Sequence, residues 1–264
     1  MPYQNYQNIN PPPQSRRTFG KKLINGLLGY ALLDTLLATQ ALAKPVRTEL
    51  HQWLKQLNTY CHDLKQQRLG LTQWQNHAEA LLSQLPVTEL LQHIQFDALT
   101  KNFQYPDLGV NTKKISLPRL SGLPQGLQFY PKLFGMQQDR AIIPHGHTNM
   151  VSAHLVLKGN LALKHYDRVR TDAKHLYIRP TIDTTAGAGS VSSISDQHNN
   201  IHWFIATTPV AFTFDVIITD LYGQPYDVQN IDPYKATKLN NGVLQVPKLT
   251  VQEALKKYGK HSHH

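Results

Sequence analysis

The chain has 264 residues, 41% of them hydrophobic and 17% charged, with a formal net charge of +10. That balance excludes a disordered chain and suits one sizeable domain with extra elements. The lysines and arginines are scattered, with no arginine-rich run, so the charge does not point to nucleic acid. The one cysteine, Cys61, excludes an intramolecular disulfide and a cysteine zinc cluster, and its helical setting suits a structural thiol.

Residues 1–43 read as an export signal. Arg16-Arg17 is followed by Phe19 and by Lys21-Lys22, then by a modestly apolar stretch from Leu23 to Ala43 that ends Ala41-Leu42-Ala43. A basic start, an apolar middle and a small-x-small end describe a secretory leader. The arginine pair is similar to the twin-arginine signal, with Gly20 standing where an apolar residue is usual. Asp34 and the weak hydrophobicity argue against a stable membrane span, so the expectation is an exported, periplasmic protein cleaved after Ala43.

Residues 46–100 read as helical. Leu50, Trp53, Leu54, Leu57, Cys61 and Leu64 recur at three- and four-residue steps. A second run extends from Leu71 to Leu85 and stops at Pro86, and Thr88 is expected to cap a third run from Glu89 to Ile94. Trp53 and Trp74 are read as packing residues. Residues 103–125, with Pro106, Pro118 and Pro124, read as a loop-rich crossover.

From residue 127 the pattern is strand-like. Gln128 to Phe134 alternates, Ala141-Ile142-Ile143 is a short buried run, and His154 to Leu163 alternates around a hairpin-type turn at Gly159-Asn160. Leu176-Tyr177-Ile178, His202 to Ile205 and Val210 to Ile218 follow, while Thr184–Ser195 is small and polar and reads as a loop. Many short strands predict a mainly β fold, a barrel or sandwich over residues 101–250, with a C-terminal helix or tail over 251–264.

The chemistry centres on Pro144-His145-Gly146-His147. Residues i and i+2 of a strand point to one face, so two imidazoles at this spacing can reach one metal. A third ligand must come from a neighbouring strand, and His202, at the start of one, is the candidate, with Trp203 and Phe204 packing behind it. Among 14 histidines, His154, His165, His175 and His198 are read as lying on the surface or behind the ligands.

The wider context resembles a family. Ile142 to Met150, then Leu157-Lys158-Gly159-Asn160 and Tyr166-Asp167-Arg168-Val169, are similar to the first motif of the cupin superfamily. They more closely resemble the thiol dioxygenases of the cysteamine dioxygenase and plant cysteine oxidase group. Asn199-Asn200-Ile201-His202-Trp203-Phe204, with Thr208-Pro209 and Asp215-Val216 after it, resembles that family's second string. Asn199 stands where a glycine is usual.

The resemblance covers roughly residues 128–235 and implies a cupin barrel, a double-stranded β-helix of the jelly-roll type, behind the N-terminal helical segment. It also implies that His145, His147 and His202 hold Fe(II). Asp215 would fix a ligand histidine or hold a substrate amine, and Tyr226 would match a site tyrosine. The implied reaction joins dioxygen to the sulfur of a small-molecule thiol, giving the sulfinic acid. No carboxylate follows His147 at the usual cupin position, which favours three histidines alone. Two alternatives stand beside this reading: a zinc enzyme, hydrolase or hydratase, in which the metal activates water, and a cupin that binds metal or ligand without catalysis.

Overall fold

The computed structural model describes residues 48–105, 110–117 and 126–258. The segment expected to be a leader (1–43), parts of the 103–125 crossover and the histidine-rich tail lie outside the described residues. Four helices come first: α1 (Thr48–Lys65), α2 (Leu71–Ser83), α3 (Val87–His93) and α4 (Phe96–Thr100). Twelve strands follow: β1 (Asn111–Lys114), β2 (Tyr130–Gln137), β3 (His145–Thr148), β4 (Val151–Lys158), β5 (Leu161–Thr171), β6 (His175–Ala186), β7 (Val191–Ile194), β8 (Ile201–Ala206), β9 (Val210–Ile218), β10 (Asp227–Ile231), β11 (Thr237–Lys238) and β12 (Leu244–Leu249). Helix α5 (Val251–Tyr258) closes the described chain. Among the described residues no helix is long and apolar enough to cross a membrane.

The strands form two antiparallel sheets, β1-β2-β9-β4-β7 and β10-β3-β8-β5-β6-β12-β11. Strands β2 to β9 alone give two facing four-stranded sheets, β2-β9-β4-β7 and β3-β8-β5-β6. That interleaving is the double-stranded β-helix, or jelly roll, so the fold is mainly β with helices before it, as expected. Strand β10 pairs with both β3 and β12, which closes the second sheet into a ring.

Side-chain alternation divides the interior into three cores. On β4 and β9, Val151, Ala153, Leu155, Phe212, Phe214 and Val216 point to the outer face of the first sheet. There they meet Leu54, Leu57, Leu64, Trp74 and Leu82 of α1 and α2. Those helical residues fall on one stripe at the spacing expected, and Trp53 and Trp74 are buried packing residues. Cys61 is buried in the same layer, and burial pushes its thiol up to about 12, far from a reactive thiolate. A second core, with Met136, Val156, Leu161, Leu163 and Phe204, fills one end of the space between the sheets. The third, with Leu176, Ile178, Ile201, Trp203, Ile231 and Val246, fills the closed ring.

Four local expectations change. Residues 184–195 are not a loop: β6 runs to Ala186, with Thr184 and Thr185 exposed, and β7 occupies Val191–Ile194, where the small Ser192 and Ser193 are buried. Gly159-Asn160 does not make a paired hairpin. It carries the chain from the first sheet (β4) to the second (β5), with Gly159 at φ +75° against the Val210 carbonyl. Thr88 lies inside α3, whose N-cap is Pro86. Finally, Trp203 points away from His202 into the ring core, stacked on Tyr166 at 5.0 Å, and only Phe204 shares the His202 face.

Candidate metal centre

Strand β3 carries His145 and His147 on one face, and β8 places His202 directly opposite His145. The turn before β8 needs Asn199 at φ 57°, a conformation that asparagine tolerates better than most residues. Ring centroids of the three histidines lie 4.4, 4.5 and 5.3 Å apart, and one donor atom from each lies within 4.8 Å of the others. His145 Nε2 and His147 Nε2 face each other at 2.7 Å.

The hydrogen bonds fix the tautomers. His145 Nδ1 lies 2.5 Å from the Ile143 carbonyl and His202 Nδ1 lies 3.3 Å from the Asn200 carbonyl. A carbonyl accepts only, so both Nδ1 atoms carry the proton and both Nε2 atoms present lone pairs. Burial pushes His145 down to about 4 and holds His147 and His202 well below the usual imidazole range, with neighbouring histidines adding to the effect. All three are therefore neutral at pH 7, the form that binds a metal. The His147 Nδ1 is buried without a partner, so the hydrogen bond of this ring is the one its Nε2 makes with His145 Nε2. Three neutral ring nitrogens converging in a dry setting suit a cation, with His147 Nε2 giving up its contact to His145 Nε2 when one binds. Among the described residues this is the one cluster of at least three potential ligands so arranged.

The ligand strand is clamped from behind. Arg168 Nη2 donates to the His147 carbonyl at 2.8 Å and to Asn200 Oδ1 at 2.6 Å. Asn200 Nδ2 donates to the same carbonyl at 2.9 Å and to the Ser195 carbonyl at 3.0 Å. Gly146 lies under this clamp, where a Cβ would sit 2.8 Å from Asn200 Oδ1.

The two other predicted site residues lie at different removes. The Tyr226 ring centroid is 5.8 Å from that of His147, and burial holds its hydroxyl in the protonated form. Asp215 is buried on β9 and accepts a hydrogen bond from Thr213 Oγ1 at 2.6 Å. Burial raises its carboxyl to about 7, an effect that Thr213 and the Lys132 charge partly offset. It meets the triad only through His154, whose Nε2 is 3.8 Å from Asp215 Oδ2 and whose ring is 5.8 Å from His202.

His154 and His165, read from sequence as surface or supporting residues, are both fully interior. His165 pairs with His202 across β5 and β8, so His145, His202 and His165 form one row across the second sheet. Lys132, Asp215, His154 and Ser192 form a row across the first. The signal was present: Leu161, Leu163 and His165 share parity on β5. His175 and His198 are partly exposed beside Asp172 and Asp167, as expected. Ser192, His154 and Asp215 contain the residue types of a hydrolase triad, and the cavity beside His154 and Ser192 has about the room of one water.

No protein-family model matches the chain, and no curated protein matches it. Solved structures are similar at low identity. The vicilin of Solanum melongena matches with TM-score 0.36 and 15% identity over 50% of this chain and 34% of that one. KdgF from Halomonas sp. matches with TM-score 0.30 and 12% identity over 44% of this chain and 86% of that one. A cupin superfamily protein from Desulfitobacterium hafniense matches with TM-score 0.29 and 11% identity over 46% and 86%. The match spans about a third of the vicilin's length.

Proposed function

We propose that this chain is an Fe(II)-dependent dioxygenase that converts a small thiol to its sulfinic acid, RSH + O2 → RSO2H. The observation that carries the reading is the donor set: three neutral imidazoles and no carboxylate within the ligand group. Three neutral donors leave a divalent ion its full charge and open positions, which suits a substrate that binds as an anion, as a thiolate does. Bound iron would supply the redox chemistry that joins both oxygen atoms to sulfur. The protein's own contribution is placement. The Arg168–Asn200 clamp sets β3, and Tyr226 presents a protonated phenol beside His147 as a hydrogen-bond donor to a bound anion. Buried walls keep bulk water away from the reacting atoms.

The experiment is metal analysis of anaerobically purified protein, then oxygen uptake and mass spectrometry of products with a panel of small thiols. Iron at one per chain and a product heavier by two oxygen atoms support the proposal. Zinc with esterase or hydratase activity moves the assignment to the zinc enzyme, and metal without turnover moves it to a binding protein. We place the protein in the periplasm by the twin-arginine route, on the Arg16-Arg17 leader. Arg16→Lys with Arg17→Lys then retains it in the cytoplasm, and undiminished export of that variant rejects the route.

A further inference from the structure

Gln75 is buried on α2, beside Leu71, Trp74, Ala78 and Leu82 on the face that packs on the first sheet. An amide is a costly group to place in an apolar layer unless its donor and acceptor are both met. Here both are. Gln75 Nε2 donates to Ser193 Oγ at 3.1 Å and to the His198 carbonyl at 3.4 Å, and Oε1 accepts from Ser195 Oγ at 2.7 Å. The His198 carbonyl only accepts, which fixes the nitrogen of the amide on that side. Ser193 Oγ donates in turn to Glu79 Oε1 at 2.6 Å, one turn further along α2.

Ser195 opens the turn between β7 and β8. Its Oγ accepts from the backbone N–H groups of Gln197 and His198 at 3.1 and 3.2 Å, and its carbonyl accepts from Asn200 Nδ2 at 3.0 Å. Asn200 then meets two of the metal-binding histidines. Its side chain donates to the His147 carbonyl at 2.9 Å, and its own carbonyl accepts from His202 Nδ1 at 3.3 Å. Ser195 and Asn200 are each 1% exposed, so the path from Gln75 to the two ligands is buried throughout and solvent does not substitute for its bonds.

We propose that Gln75 is a positioning residue for the metal centre, acting from the helix layer through Ser195 and Asn200 on His147 and His202. An apolar side chain at this point of the α2 stripe would bury as well as its neighbours do, so the amide adds location rather than cohesion. It anchors the β7–β8 turn to the helix, and the turn holds one ligand by its backbone and another by its ring. The helical segment is thereby part of the metal centre's support as well as a cover for the first sheet. The inference rests on His145, His147 and His202 holding a divalent ion and not on the reaction assigned to them. Partners of this kind, placed behind the ligands, tune affinity by orienting the donor atoms.

The test compares Gln75→Met with Leu57→Ala, which weakens the same helix layer without touching the path, in the full chain. Zinc(II) affinity is read by competition with a chromophoric chelator, and the ring nitrogens of the apo protein by histidine 15N–1H NMR. Gln75→Met should weaken zinc binding by about 3–10-fold, less than the roughly 10–100-fold of a direct partner of a ligand, and should shift the ring signals of the triad. Leu57→Ala should do neither. In an Asn200→Ala background Gln75→Met should have no further effect on affinity, because the path is already cut. The proposal is overturned if Gln75→Met binds zinc as the wild type does, if Leu57→Ala weakens binding as much, or if the Gln75→Met loss is undiminished in the Asn200→Ala background. Where Gln75→Met does not fold, Ser195→Ala removes the hydroxyl that Gln75 grips and is judged by the same outcomes. A wild-type chain that takes up no divalent metal would refute the metal centre itself. The apo ring spectrum then decides this inference alone, and triad signals unmoved by Gln75→Met overturn it.

Discussion

Gly146→Ala is the most informative single change. The new Cβ would sit 2.8 Å from Asn200 Oδ1, 3.1 Å from Arg168 Nη2 and 3.1 Å from Ile201 Cγ1. Asn200 cannot swing aside freely, because it accepts from Arg168 at 2.6 Å and donates to the His147 and Ser195 carbonyls at 2.9 and 3.0 Å. Displacing it breaks one charge-assisted bond and at least one neutral one, worth about 1.5–3 and 0.5–1.5 kcal/mol. Alanine recovers roughly 0.5–1 kcal/mol of backbone entropy relative to glycine. The expected net loss is about 1–4 kcal/mol in the apo protein, read from urea unfolding followed by circular dichroism. Because Gly146 lies between two ligands, metal affinity should fall at least tenfold in a chelator competition. In an Asn200→Ala background the shortest contact is gone and the two 3.1 Å contacts remain, so the same substitution should cost clearly less than in the wild type, a coupling that a double-mutant cycle measures. An equal cost in both backgrounds, or no cost in the wild type, would refute the clamp.

Further consequences can be checked separately. His202→Phe removes one of three ligands while keeping the ring volume, so metal stoichiometry should drop below one-tenth of wild type with the circular dichroism spectrum unchanged. Apo stability should fall as pH drops from 6.5 towards 4. Unfolded histidines take up a proton near 6.5, whereas folded His145 does so only near 4 and His154 and His165 only near 3. Their contribution is present above 6.5 and is lost as pH falls, at about 1.4 kcal/mol per pH unit for each. Asp215, raised to about 7, works the other way and removes one proton from that slope. A urea midpoint that stays level or rises on acidification from 6.5 to 4.5 would contradict the buried neutral histidines. Leu57→Ala, in the helix layer, should cost about 2–5 kcal/mol in urea unfolding and leave metal binding intact. Gly159→Ala should be among the most damaging changes to melting temperature, since its Cβ would lie 2.2 Å from the Val210 carbonyl oxygen at φ +75°.

The parts that were legible in the sequence are those set by short-range periodicity. The α1 stripe and the β9 limits, Val210–Ile218, follow from spacing alone. So does the shared face of His145 and His147, since i and i+2 on a strand leave no other choice. What spacing could not supply was the pairing partner. Whether His165 faces water or the interior depends on β8 lying beside β5, a contact between residues 35 to 45 positions apart. The Arg168–Asn200 clamp was hidden for the same reason, because neither residue carries a local signal for the strand it braces. Residues 184–195 were misjudged because composition was weighed above environment. Ser192 and Ser193 fit a buried strand because they are small, and Thr184 and Thr185 suit an exposed one because threonine is β-branched.

The alternation on β4 and β9 also separates two kinds of constraint along one stretch of chain. Odd-numbered positions of β4 bind the helix layer and even-numbered ones line the histidine-rich chamber, with the opposite parity on β9. Neighbouring residues therefore answer to different demands, folding at one position and chemistry at the next. The chamber can be refitted for another ligand by changing every second residue, while the layer that holds the molecule together is left untouched. A slip of one residue in either strand would exchange the two roles at once, so pairing register, more than any single side chain, is what the chamber depends on.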